Sequence, residues 1–127
     1  MENSTPLDVS SKRPIPLKNR RLNKPYMYKK VFEAGKVLRS VPLTLRYSFE
    51  DQDHSRIGFI IRKKVGKAPM RNSIRRTLRC SFQVALKRMQ EGTWIVFDVS
   101  DKASKCRRSE LRAEADRLLG ILPGMAI

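Results

Sequence analysis

From Met70 to Gln90 the apolar residues Ile74, Leu78, Phe82, Ala85 and Met89 return at the spacing of one helix face, a period that no strand accommodates. At 100° per residue from Arg71, they gather between about 300° and 20°. Arg71, Arg75, Arg79 and Arg76 fall at about 0°, 40°, 80° and 140°, with Asn72 near 100°. The helix therefore carries an apolar stripe for a core with a guanidinium stripe directly beside it. Pro69 near its start and Gly92 beyond its end suit the two termini. The rest of the chain must bury the first stripe and leave the second accessible.

A sheet is the natural cover. Thr93–Val99 is a continuous apolar run, the pattern of a strand buried on both faces, with Trp94 and Phe97 expected in the core. Leu43, Leu45 and Tyr47 alternate with Thr44, Arg46 and Ser48, which predicts a half-buried strand. Ile57–Ile61 predicts another, and the polar segment 50–55 between them reads as a solvated hairpin loop. Upstream, Tyr28, Val31 and Phe32 recur at i, i+3, i+4 between a candidate N-cap, Asn23, and a stop at Gly35, predicting a short helix. A last helix runs from about Ser109 to Gly120 on Leu111, Ala115, Leu118 and Leu119. The order is α-β-β-(β)-α-β-α, the third early strand appearing only if the first run splits. This is an α+β or α/β sandwich, with helices packed on a small sheet of about four strands. Residues 1–16 read as a flexible tail, 17–122 as one domain and 123–127 as a short C-terminal tail.

The 127 residues hold 28 Lys and Arg against 12 Asp and Glu, a net charge of +16, which favours a polyanionic partner. Residues 54–90 contain eleven of these cations and no acid. Solvated faces normally mix both signs, so the run reads as a nucleic-acid footprint. Along the helix stripe, like charges one turn apart repel unless an anion lies across them, and the arginine fork suits phosphate. Arg62, Lys63, Lys64 and Lys67 enter from the preceding loop and extend the same surface.

The inventory excludes several chemistries. A single histidine, His54, supplies no His-based catalytic pair or His-rich metal site. Cys80 and Cys106 are too few for a disulfide framework and read as reduced thiols of a cytoplasmic protein. No apolar run reaches the roughly 18 residues of a membrane span, and the N-terminus lacks the apolar segment of a signal peptide. If the first helix and the Arg46 strand face border the arginine stripe, Tyr28, Phe32 and Arg46 form a groove suited to single-stranded RNA. Otherwise Tyr28 and Phe32 pack in the core.

The stretch Phe59–Arg79 resembles the protein subunit of bacterial ribonuclease P. Both its Lys-Lys-x-Gly-x-Ala and its Arg-Asn-x-x-Arg-Arg-x-x-Arg frames stand at the family's spacing. Tyr28-x-x-Val31-Phe32-x-x-Gly35 is similar to the family's first helix, and the resemblance extends over about Leu17 to Leu122. It implies a left-handed βαβ crossover and an RNA-binding subunit, monomeric in a 1:1 complex with a catalytic RNA. That complex removes the single-stranded 5′ leader of precursor tRNA, with magnesium bound mainly by the RNA. By position, Arg71, Asn72, Arg75, Arg76 and Arg79 would face the RNA, and Tyr28 and Phe32 would line the leader cleft. Ser73 stands where the family has the second arginine of Arg-Asn-Arg, Arg62 where serine is frequent, and Cys80 where an acid is frequent. Arg46 falls where an aromatic or other cleft-facing residue is common. A ribosomal-type structural RNA-binding protein is the alternative reading. A protein nuclease is disfavoured by the empty catalytic inventory.

Overall fold

The structure, a computed structural model, describes residues 15–125. The expected N-terminal tail therefore lies outside the described residues up to residue 14, as do the last two residues of the C-terminal one. After a 3-10 turn at Leu17–Arg20 come α1 (Pro25–Ala34), β1 (Lys36–Ser40), β2 (Leu43–Phe49) and β3 (Arg56–Ile61). A second 3-10 turn, Lys63–Val65, leads into α2 (Ala68–Ala85), β4 (Thr93–Val99), a third turn at Asp101–Lys105, and α3 (Arg108–Gly120).

The four strands form one mixed sheet in the order β1-β2-β4-β3, with β4 antiparallel to β2 and parallel to β3. The parallel pair is joined through α2. β2 and β3, expected to pair through a hairpin loop, are not partners, because β4 lies between them. β4 sits at the centre because Trp94–Phe97 is apolar on both faces and can be covered on each, whereas β2 and β3 carry polar residues on one face. β1, foreseen only as a split of the first run, pairs with β2 from Lys36↔Tyr47 to Ser40↔Leu43.

Strand alternation separates two cores. On one face Leu43, Leu45, Ile57, Ile95, Phe97 and Val99 pack with Ile74, Leu78 and Phe82 of α2 and Leu111, Ala115 and Leu118 of α3. On the other, Trp94 and Val96 pack with Leu22, Met27 and Val31. The face that α1 buries is thus Met27 and Val31, while Phe32, expected on it, is 39% exposed. Lys24 rather than Asn23 is the N-cap of α1, with Pro25 in the first helical turn, and Gly35 closes it in the left-handed region at φ 68°. The long helix also stops earlier than its apolar period suggests, at Ala85. Met89 remains buried from the turn that follows.

The segment 50–55 is a tie rather than a solvated loop. Asp53 accepts hydrogen bonds from the buried Trp94 Nε1 (3.1 Å) and from Arg56 Nε, and Arg56 Nη1 reaches the carbonyls of Asn19 (3.2 Å) and Arg21 (3.0 Å). Ser55 N–H donates to Glu91 (3.0 Å), which also receives the buried Arg20 (3.3 Å). Burial raises both carboxyls, but hydrogen bonds and neighbouring cations outweigh it, so Asp53 and Glu91 end below the usual carboxylate range. A depressed folded-state pKa gives stability that is present above the ordinary values, about 4, and lost as pH falls through the depressed ones. Asp53→Ala orphans the Trp94 indole N–H and is expected to cost about 2 kcal/mol. That appears as a melting temperature several degrees lower at pH 7, and a smaller loss at pH 3. An unchanged melting temperature at pH 7 would show that the tie is not structural.

Candidate nucleic-acid interface

The segment before α1 is built onto the free edge of β3. Arg21 forms a parallel bridge with Ile57, and Leu22 N–H donates to the Ile57 carbonyl (2.9 Å). The next edge group, Phe59 N–H, is met by Tyr28 Oη, which accepts at 3.4 Å. Tyr28 can lie there because residue 58 is glycine: a Cβ at Gly58 would come within 2.6–3.0 Å of the phenol ring. These contacts place Arg21 opposite α2, and a cleft of about 300 Å³ opens between them. Arg21, Leu22, Tyr28, Phe59, Arg75 and Arg79 are among its lining residues, and among the described residues no carboxylate is.

Its electrostatics are unbalanced. The Arg79 guanidinium lies 5.6 Å from the centroid of the Phe59 ring, and its Nε is buried without a hydrogen-bond partner. Burial, then the charges of Arg21, Arg75 and Arg76, pull its pKa below the usual arginine value. Arg71 Nε donates to the Gly66 carbonyl (3.1 Å) and Arg75 Nη1 to Asn72 Oδ1 (2.8 Å). These neutral acceptors orient the guanidiniums without discharging them. An anion in the cleft would relieve the repulsion.

A second basic surface lies on the sheet face that α1 leaves partly open. Register sets Gly58, Val96, Arg46 and Val37 in one cross-strand row, and Ile60, Asp98, Thr44 and Arg39 in the next. The flank of α1 sits on the first row. Tyr28 covers Gly58, and Phe32 carries the Arg46 guanidinium at 4.6 Å from its ring centroid. The Arg46 Nε, like that of Arg79, is buried without a partner. The second row floors an opening of about 450 Å³ lined by Arg39, Thr44, Arg46, Arg62, Lys64 and Lys102, with Asp98 and Asp101.

The expected residues are thus divided between two places. Arg75 and Arg79 wall the edge cleft, while Arg71, Asn72 and the exposed Arg76 continue along α2. Arg62, expected beside the helix stripe, instead reaches over the sheet face to Asp98 (3.2 Å), because β3 ends at Ile61 and the chain turns there. Lys64 lines the same opening, whereas Lys63 and Lys67 are exposed around the start of α2. Tyr28 faces the β3 edge, and Phe32 with Arg46 faces the open sheet. Arg21, Arg39 and Lys102 were not foreseen. Arg21 depends on a bridge to a residue 36 positions away, for which no local period exists. Among the described residues no group of three or more His, Cys, Asp or Glu could hold a metal ion, and no helix is long and apolar enough to cross a membrane.

Comparison with known proteins identifies the family and the fold. The family model for Ribonuclease P matches residues 17–122. The ribonuclease P protein component of a Pseudanabaena species is 34% identical over 101 residues, covering 78% of this chain and 87% of that protein. That of Chloroflexus aggregans is 32% identical over 100 residues, covering 78% and 74%. Among solved structures, the RNase P protein of Thermotoga maritima superposes with a TM-score of 0.71 at 26% identity, covering 82% of this chain and 98% of its own. The Staphylococcus aureus RNase P protein, at 20% identity, shares the fold with a TM-score of 0.76, covering 84% and 97%. With a family match across nearly all the described residues, and relatives of one name on one fold, this chain belongs to the ribonuclease P protein family.

Proposed function

We propose that this chain grips the ribonuclease P RNA by its phosphates and holds the 5′ leader of precursor tRNA, one copy per RNA, in the cytoplasm. The observation that carries this reading is the edge cleft, where Arg21, Arg75 and Arg79 meet with no carboxylate among the described residues. A fold gains nothing from such an arrangement alone, and phosphate oxygens match the free guanidinium donors. The open sheet face suits a single strand. Arg46, over the Phe32 ring, offers a planar group for an unpaired base to stack on, and Arg39, Arg62 and Lys102 surround the path of a backbone.

Hydrolysis of the phosphodiester bond is assigned to the RNA partner, with magnesium held mainly there. The residues of this chain bind, neutralise and orient, and none is given a proton to move. The role predicts its own test. Neutralising phosphate repulsion lowers the magnesium needed for assembly, so purified protein should stimulate leader removal from 5′-extended tRNA by its cognate ribonuclease P RNA most strongly at low magnesium. RNA binding without any stimulation would return the chain to a purely structural RNA-binding role. Cleavage without added RNA, in a nuclease-treated sample, would move the chemistry onto the protein.

A further inference from the structure

We infer that Arg108, at the start of α3, is a further RNA-phosphate contact, joined to the α2 surface through Ser73. The inference rests on the proposed RNA-binding role. Arg108 Nε donates to Ser73 Oγ at 2.8 Å, and its Nη1 to the Cys106 carbonyl at 3.3 Å. Both acceptors are neutral and no carboxylate among the described residues pairs with it, so the guanidinium is held in place and keeps its charge. Two of its five N–H groups are engaged, and the remaining three can donate to an anion.

Its neighbours on α3 behave differently. Arg112 pairs with Asp116 at 3.2 Å and Arg117 with Glu114 at 3.3 Å, the ordinary i,i+4 and i,i+3 pairs of a solvated helix face. The acid nearest Arg108 in sequence, Glu110, instead accepts from the Arg107 backbone N–H (2.7 Å) at the start of α3. Arg108 thus shares the pattern of Arg71 and Arg75 on α2, oriented by a neutral acceptor and left charged. Its surroundings agree, since Lys102, Lys105, Arg107 and Arg108 fall in the acid-free run 102–109. The basic surface therefore passes from α2 across Ser73 onto the start of α3.

The test is the salt dependence of binding to the cognate ribonuclease P RNA, measured from about 50 to 400 mM monovalent salt. Arg108→Gln keeps a donor for Ser73 but loses the charge. It is expected to lower the log–log slope by about 0.7–0.9, equivalent to roughly five- to eightfold weaker binding at 0.1 M salt. Adding Ser73→Arg in that background returns a cation to the same place and is expected to restore the slope. Arg75→Ala/Arg79→Ala serves as the reference. If the reference lowers the slope and Arg108→Gln does not, the inference is overturned and the RNA-binding reading survives. If neither lowers it, both fall. A drop in melting temperature with an unchanged slope would make Arg108 only a tie between helices, which also overturns the inference.

Discussion

Arg75→Ala/Arg79→Ala is expected to weaken binding to ribonuclease P RNA roughly 25- to 60-fold at 0.1 M salt and to lower the salt slope by about 1.4–1.8. Two phosphate contacts are at stake, and each releases the counterions that set the slope. The fold should not depend on either charge. Arg79 lies over the Phe59 ring and Arg75 is held by Asn72, and in the free protein their charges oppose each other and Arg21. Lys87→Ala/Arg88→Ala removes the same formal charge from two exposed residues past the end of α2. If the edge cleft is the grip, that control changes the slope much less. Equal losses in the two variants would mean that net charge drives binding and the cleft does not.

The helical stripe was legible because a helix writes its two faces into a 3.6-residue period, and a buried helix cannot vary the apolar one. Ile74, Leu78 and Phe82 are fully buried, and Arg71, Arg75 and Arg79 stand beside them as their angles require. β4 was legible because Trp94–Phe97, covered on both faces, is apolar throughout, and its one charged residue, Asp98, comes where the cover of α1 ends. The sheet order was not, because pairing is settled by tertiary competition: β2 and β3, neighbours in sequence, both prefer β4. The site was half visible. The acid-free run 54–90 marked the basic face, yet the two acids that bound it were the residues hardest to interpret. Asp53, partly buried, and Glu91, half exposed, hold Arg56 and Arg20, and so fix the segment that carries Arg21 to the cleft. A sequence shows where carboxylates are missing from a surface, but not which remaining ones are structural. Phe32 was open to either reading, core or groove, and the structure leaves it outside the core. Its spacing from Tyr28 and Val31 placed it on the apolar face, but a helix lying over only part of a sheet buries a narrower stripe than its period allows.

Arg46→Ala should reduce the preference for leader-bearing over mature tRNA by about tenfold, near the lower end of the roughly 1–3 kcal/mol measured for one stacked base. The guanidinium covers the Phe32 ring at 4.6 Å, so a base entering the sheet face meets a plane that is both flat and cationic. Substitution separates these two properties. Lysine keeps the charge but has no plane, so Arg46→Lys should hold the salt slope near the wild-type value and still lose leader preference. Tyrosine keeps a plane without the charge. Arg46→Tyr should therefore retain most of the preference while the slope for leader-bearing substrate falls by about 0.7. Phe32→Ala tests the support beneath, because without the ring Arg46 loses its fixed orientation, and preference should fall even though the cation remains. If Arg46→Lys keeps full leader preference, charge alone holds the strand and the stacking plane has no part in recognition. If Arg46→Ala binds leader-bearing and mature tRNA with equal losses, the open sheet face contacts some other part of the RNA, and the leader path must be sought along the edge cleft beside Tyr28.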